Sequence, residues 1–141
     1  MNVPIRIKLE LPATFQFLNV LSGCISEMLN RVDDIADRNT LVYQLQLAAQ
    51  ELCTNIVEHA YQGQSDGRIE VLIEVDEADR QIALTFGDNG AAYDISIPAV
   101  TTIEEPSEGG MGLFLIRQLM DQVDYRRDGQ WNLWKITKRY A

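Results

Sequence analysis

The sequence predicts an α+β domain. It would be a two-layer sandwich in which a mixed, mostly antiparallel sheet of about five strands carries its helices on one face. Three observations lead there. Apolar residues alternate with period two in short stretches and recur at helical spacing in longer ones. The resulting order, β-α-α-β-β-loop-α-β-β, lacks the regular β-α-β alternation of a doubly wound parallel sheet. The polar turn Asp76–Arg80 and the dipeptide Asp128-Gly129 each separate two strand patterns, as hairpin turns do. The 141 residues are 46% hydrophobic and 23% charged, which fits one soluble domain over 1–141.

Each element follows from its own pattern. Val3, Ile5, Ile7 and Leu9 alternate with Arg6, Lys8 and Glu10, a strand with one apolar face, and Pro12 closes it. Phe15, Leu18, Leu21, Ile25, Met28 and Leu29 predict a helix over about 13–31, followed by a polar connection at Asp33, Asp34 and Asp37. Leu41, Leu45, Ala48, Leu52, Ile56 and Ala60 predict a second helix over about 40–61, ended by Gly63 and Gly67. Ile69, Val71, Ile73 and Val75, then Ile82, Leu84 and Phe86, predict an antiparallel hairpin. Residues 87–111 hold Gly87, Gly90, Pro98, Pro106, Gly109 and Gly110. So long a glycine-punctuated loop in a small domain is uncommon unless it has a task. A third helix is expected from about Gly112 to Gln122, then strands over Val123–Arg127 and Gln130–Arg139.

Composition narrows the function classes. Twelve Lys and Arg stand against 21 Asp and Glu, a net charge of −9. That disfavours direct nucleic-acid or anionic-membrane binding, both of which need a basic patch. Cys24 and Cys53 form no CxxC, and with one histidine they build no zinc site. Both fall in apolar helical patterns and read as buried free thiols, which suits a reducing compartment. No apolar run approaches the ~20 residues of a membrane span, and the N-terminus lacks a signal-peptide core. A cytoplasmic location is the expectation. Tyr61, Trp131 and Trp134 read as core or sheet-face residues.

Three short segments could carry chemistry. Glu51 and Asn55, four apart, share the polar face of the second helix, opposite Leu52 and Ile56. An Asn carbonyl suits Mg²⁺, and a carboxylate one turn away can accept a proton. The same pair also fits a solvated helix face. Asp88-Asn89-Gly90 follows a strand. Its carboxylate can accept from an exocyclic amino group, and the glycine admits close approach to the backbone; it also fits a plain turn. Glu108-Gly109-Gly110-Met111-Gly112-Leu113 opens the third helix, where free N–H groups and the helix end favour an anion. A flexible loop fits there too. It is no Walker loop, because no Gly-Lys-Ser/Thr follows.

Taken together and in this order, the three segments resemble the Bergerat-type ATP-binding fold of gyrase-B-like ATPases, chaperone ATPases and sensor histidine kinases. The set is most similar to the anti-sigma factor serine/threonine kinase branch. The match is carried by Glu51-Leu-Cys-Thr-Asn55 with His59-Ala60-Tyr61, by Asp88-Asn89-Gly90, and by Glu108-Gly-Gly-Met-Gly-Leu-Phe-Leu-Ile116 running into Leu119-Met120-Asp121. The resemblance implies ATP and Mg²⁺ as cofactors. It implies Asn55 as the metal ligand and Glu51 as general base toward a substrate serine. It places Asp88 on the adenine amino group and Gly90 along the ring, with the backbone of Gly109, Gly110, Met111 and Gly112 around the phosphates. Residues 91–108 would be the lid, and His59 would be structural or site-supporting. The implied partners are a sigma factor and a STAS-type anti-sigma-factor antagonist, and the family suggests a homodimer. Two departures stand out. Ala91-Ala92 follows Gly90 where the family often has a second glycine, and no Lys or Arg lies between Asp88 and Gly112. They motivate an alternative, a nucleotide-binding partner switch without phosphotransfer.

Overall fold

The structure, a computed structural model, describes residues 3–61, 67–93 and 111–140. Five strands, β1 (Ile5–Pro12), β2 (Arg68–Asp76), β3 (Gln81–Asp88), β4 (Gln122–Asp128) and β5 (Trp131–Arg139), form one sheet in the order β1-β2-β3-β5-β4. Every pairing is antiparallel, so the expected mixed character is absent among the described residues. Helices α1 (Leu18–Leu29), α2 (Arg38–Asn55) and α3 (Met111–Leu119) make the second layer, where α1 and α3 both pack on α2.

Alternation decides which face of the sheet the helices cover. Ile69, Val71, Ile73 and Val75 of β2 are buried, as are Ile82, Leu84 and Phe86 of β3 and Trp134 and Ile136 of β5. The opposite face of β1 and β2 carries Arg6–Glu74, Lys8–Glu70 and Arg68–Glu10 ion pairs at 3.3, 3.8 and 3.2 Å. Such exposed pairs contribute at most about 1 kcal/mol each. From α2, Leu45, Ala48 and Leu52 are fully buried, as is Ile56 just beyond its end, and a buried Leu or Ile contributes roughly 1.5–3 kcal/mol. The Asp37 carboxylate starts α2 by accepting from the Thr40 N–H at 3.2 Å and the Thr40 hydroxyl at 2.8 Å.

Several element ends differ from expectation for local reasons. A 3-10 turn, Phe15–Phe17, precedes α1 in place of a continuous helix. The regular part of α2 ends at Asn55, and Ile56–Ala60 forms one π-turn, closed by the Tyr61 N–H donating to the Ile56 carbonyl at 3.2 Å. The last helix stops at Leu119, because Gln122 already pairs with Thr137 and the Asp121 N–H donates to the Thr137 carbonyl at 2.9 Å. Of the two thiols, Cys53 is buried but Cys24 is only half-buried, since its position lies at the margin of the α1 stripe. Burial pushes the Cys53 thiol up to about 12 and the Cys24 thiol also upward. Trp134 is buried, whereas Trp131 is 38% exposed on the outer face, over Gly87. Among the described residues no helix is long and apolar enough to cross a membrane.

Candidate functional site

The C-terminal half of α2 is the spine of the site. Glu51 and Asn55 lie on its half-buried side, one turn apart, as their spacing predicts. The opening of α3 comes down on them at Gly112. A Cβ at Gly112 would stand 3.1 Å from Glu51 Oε2 and 3.3 Å from Asn55 Oδ1. The missing side chain is what lets the first turn of α3 lie against both polar groups. Met111 begins α3; Gly109 and Gly110 lie outside the described residues, as do residues 94–108 of the expected lid.

The π-turn that ends α2 aims the Ala60 carbonyl at the loop after β3, where it accepts from the Ala91 N–H at 2.8 Å. Gly90 sits directly on that turn. A Cβ there would lie 2.3 Å from the Ala60 oxygen and 2.8 Å from the Ala60 Cβ. Close backbone approach therefore requires glycine at this position, whatever the ring it was expected to line. Tyr61 completes the dock. Its hydroxyl accepts from the Asn89 N–H at 3.1 Å and lies 2.5 Å from the Arg68 carbonyl oxygen. His59 is exposed on the π-turn.

Asp88, the last residue of β3, is fully buried. Its Oδ1 accepts from Asn132 Nδ2 at 2.8 Å and from the Gly90 N–H at 3.0 Å. Its Oδ2 is buried and has no hydrogen-bond partner among the described residues. Burial raises the Asp88 carboxyl above its ordinary range. The bonds from Asn132 and Gly90 and the charge of Arg127 pull the other way without cancelling it. Buried polar atoms are nearly always satisfied, so this acceptor, like the neighbouring Tyr93 hydroxyl and Trp134 Nε1, also without a partner among the described residues, is open to an incoming group.

Sequence reasoning missed the residues that surround Asp88. Register puts Arg127, Asn132 and Asp88 in one cross-strand row on the helix-covered face, at the end of apolar rows such as Tyr125–Trp134–Phe86. Asn132 is the polar residue at an inward position of the Asn132, Trp134, Ile136 alternation, and that was the available signal. Tyr93 packs edge-on against Tyr125 and Trp134, with centroids 5.6 and 5.1 Å apart. Burial raises its hydroxyl strongly, and the charge of Asp88 adds to that.

This geometry fits an adenine nucleotide and a hard cation. Among the described residues Asp88 Oδ2 is a buried acceptor without a partner, and a ring amine could donate to it. Gly112 leaves a cradle that a side chain would fill, beside an amide oxygen and a carboxylate. Among the described residues no group of three or more His, Cys, Asp or Glu gathers to cage a metal. A cation at Asn55 would therefore draw the rest of its shell from phosphate and water, as Mg²⁺ commonly does.

Comparison with known proteins agrees. Residues 24–138 match the model of the histidine kinase-like ATPase domain. The serine-protein kinase RsbW of Halalkalibacterium halodurans is 32% identical over 89% of this chain and 78% of its own. The serine/threonine-protein kinase BtrW of Bordetella bronchiseptica is 31% identical over 88% of this chain and 92% of its own. In the solved structure of the RsbU and RsbW domains of a Mycobacterium tuberculosis protein, the same fold recurs. Its TM-score is 0.66 at 20% identity, covering 98% of this chain and 32% of that one. With the match spanning every described element of the site, the chain belongs to the histidine kinase-like ATPase family, among relatives that are serine-protein kinases.

Proposed function

We propose that this chain is an ATP-dependent protein serine/threonine kinase that acts as an anti-sigma factor and phosphorylates a STAS-type anti-sigma-factor antagonist. The observation that carries the reading is the pairing of two features beside the end of α2. One is the buried Asp88 Oδ2, without a partner among the described residues; the other is the Gly112 contact on Glu51 and Asn55. An adenine offers its 6-amino donor to Asp88, whereas a guanine in the same pose would place its 6-carbonyl oxygen there, which a carboxylate repels. Asn55 Oδ1 would ligate Mg²⁺. The N–H groups of Gly109, Gly110, Met111 and Gly112, with the positive end of α3, would hold the phosphates. That explains how a chain of net charge −9 could bind a polyanion. Bound Mg-ATP would supply the transferable phosphoryl group. Glu51 would take the proton from a substrate serine hydroxyl and position it for attack, where alignment and charge neutralisation dominate the rate.

The relatives' names support the kinase activity. The sigma factor, the STAS-type antagonist, a homodimeric state and a cytoplasmic location rest on the family resemblance and belong to the same proposal. The test is incubation with Mg-ATP and a cognate antagonist. The wild-type chain should yield phosphoserine, and Glu51→Ala should lower the rate by about a hundredfold or more with ATP affinity within about threefold. ATP binding without phosphoserine from the wild type would overturn the kinase half. It would favour the partner switch without transfer, which the Lys- and Arg-free stretch between Asp88 and Gly112 supports.

Gly112→Ala separates site from scaffold. Alanine gains roughly 0.5–1 kcal/mol of helix propensity, and its methyl meets mobile side-chain ends at 3.1–3.4 Å. Stability should stay within about 1 kcal/mol by urea denaturation. The transfer rate should fall about tenfold as Glu51 and Asn55 are pushed aside. An unchanged rate would mean that neither group works from its observed position.

A further inference from the structure

His59-Ala60-Tyr61 closes α2 through the π-turn, and three segments of chain meet on the tyrosine. The turn starts at Ile56, directly after Asn55, the last residue of regular α2. The Tyr61 oxygen accepts from the Asn89 N–H at 3.1 Å, in the loop after β3. Its one proton is shared between the Arg68 carbonyl at 2.5 Å and Asn89 Oδ1 at 2.9 Å. From the β2 side the backbone of Gly67 rests on the ring. A Cβ there would stand 2.6 Å from Cδ1 and 2.7 Å from Cγ and Cε1. One residue back, the Ala60 carbonyl accepts from the Ala91 N–H at 2.8 Å. The end of α2, the start of β2 and residues 89–91 are thus joined at one buried side chain.

We infer that Tyr61 is a positioning residue for the metal: by tying the π-turn to the chain after β3, it holds Asn55 in register with a nucleotide anchored at Asp88. The inference deepens the nucleotide reading and rests on it. ATP would span both ends of the site, with its base at the end of β3 and its phosphates at Gly112 beside Asn55. Mg²⁺ demands near-ideal octahedral geometry. A cation held jointly by phosphate and Asn55 Oδ1 therefore needs the spacing between the two ends to be fixed. π-Helical turns are rare and recur at functional sites, and this one is held by contacts from outside the helix. Released from Asn89, the turn can slip toward ordinary helical pairing, and the helix end at Asn55 shifts with it. Tyr61 acts through Asn55 and does not touch the cation.

The test is calorimetric titration of ATP into the full chain, with Mg²⁺ and with EDTA, in wild type and in Tyr61→Phe. The phenylalanine keeps the ring on Gly67 and removes the hydroxyl alone. In wild type, Mg²⁺ should strengthen ATP binding about tenfold or more, within the usual range for coupling between two bound ligands. In Tyr61→Phe that gain should shrink to about threefold or less, with metal-free ATP affinity within about threefold of wild type. A residue that serves folding alone would lower the melting temperature and leave the gain intact. Where Tyr61→Phe does not fold, hydrogen exchange in the wild type decides. Adding Mg²⁺ to the ATP-saturated chain should slow exchange of the Asn89 and Ala91 amides about threefold or more, because coupling is reciprocal. A full Mg²⁺ gain in folded Tyr61→Phe, or exchange unmoved by Mg²⁺ where the variant does not fold, overturns the coupling and leaves the nucleotide site standing. Wild-type ATP binding with no gain from Mg²⁺ removes Asn55 as a metal ligand, and the coupling with it. Failure of the wild type to bind ATP overturns the nucleotide reading and this inference together.

Discussion

Replacing Asp88 with asparagine should weaken ATP binding about a hundredfold and at the same time raise the melting temperature at neutral pH. The substitution is isosteric. The new amide oxygen still accepts from Asn132 and Gly90, which are both donors, so the amino group must take the place of Oδ2. A donor then meets the donor of the ring, and a charge-assisted bond worth about 1.5–3 kcal/mol is lost along with it. The loss in affinity should be on the order of a hundredfold. The stability change has the opposite sign. Burial holds the folded Asp88 carboxyl above its ordinary value of 3.8, so the native state keeps this proton more firmly than the unfolded chain does. Stability linked to it is fully present below the unfolded value and is lost as pH rises through the higher folded one. The amide does not titrate and avoids that loss. The variant's melting temperature should therefore exceed wild type at pH 7, by about 3 °C for each kcal/mol recovered, and the gap should close toward pH 4. Unchanged ATP affinity would remove Asp88 from base recognition. A gap that widens on acidification would mean that the ionised carboxylate stabilises the fold.

Gly90→Ala should be the most damaging single-methyl change in the protein. The alanine Cβ would stand 2.3 Å from the Ala60 carbonyl oxygen and 2.6 Å from its carbon. These are backbone atoms, so no rotamer relieves the clash. The turn must retreat by the better part of an ångström, which stretches the 2.8 Å Ala91-to-Ala60 bond and the 3.0 Å Gly90-to-Asp88 bond. Overpacking costs roughly 1–3 kcal/mol, and an unpaired buried backbone group adds about 1–3 kcal/mol. A loss of about 2–5 kcal/mol in urea denaturation is expected, with ATP affinity falling at least tenfold in the molecules that remain folded. A change under 0.5 kcal/mol would show that the loop after β3 does not dock on the π-turn. The backbone at Gly90 is not in the left-handed region, since positive φ among the described glycines occurs only at Gly129. Space, not conformation, is the constraint.

That distinction marks the limit of what was legible in the sequence. Period two and helical spacing located the five strands and three α-helices among the described residues, because each element has one face to bury and its apolar residues say which. The hairpin at Asp128-Gly129 was readable because Gly129 supplies the positive φ, 61°, that the turn requires. The pair Glu51 and Asn55 was placed on one side of α2 by its four-residue spacing alone. The π-turn at Ile56–Ala60 was not readable: its residues continue the helical stripe, and only docking against Gly90 and Ala91 distinguishes it. Asn132 was also missed. It lies 44 residues from Asp88, and the strand register that joins them is a property of the folded sheet. A polar residue at an inward strand position was its only trace.

The most direct measurement is calorimetric titration of ATP into the full wild-type chain, first with Mg²⁺ and then with the metal removed by EDTA. The expected result is saturable binding at one site per chain, weakened at least tenfold without Mg²⁺ and about a hundredfold in Asp88→Asn. Heats indistinguishable from dilution at millimolar ATP with Mg²⁺ present would contradict a nucleotide held between Asp88 and the Glu51–Asn55 face of α2.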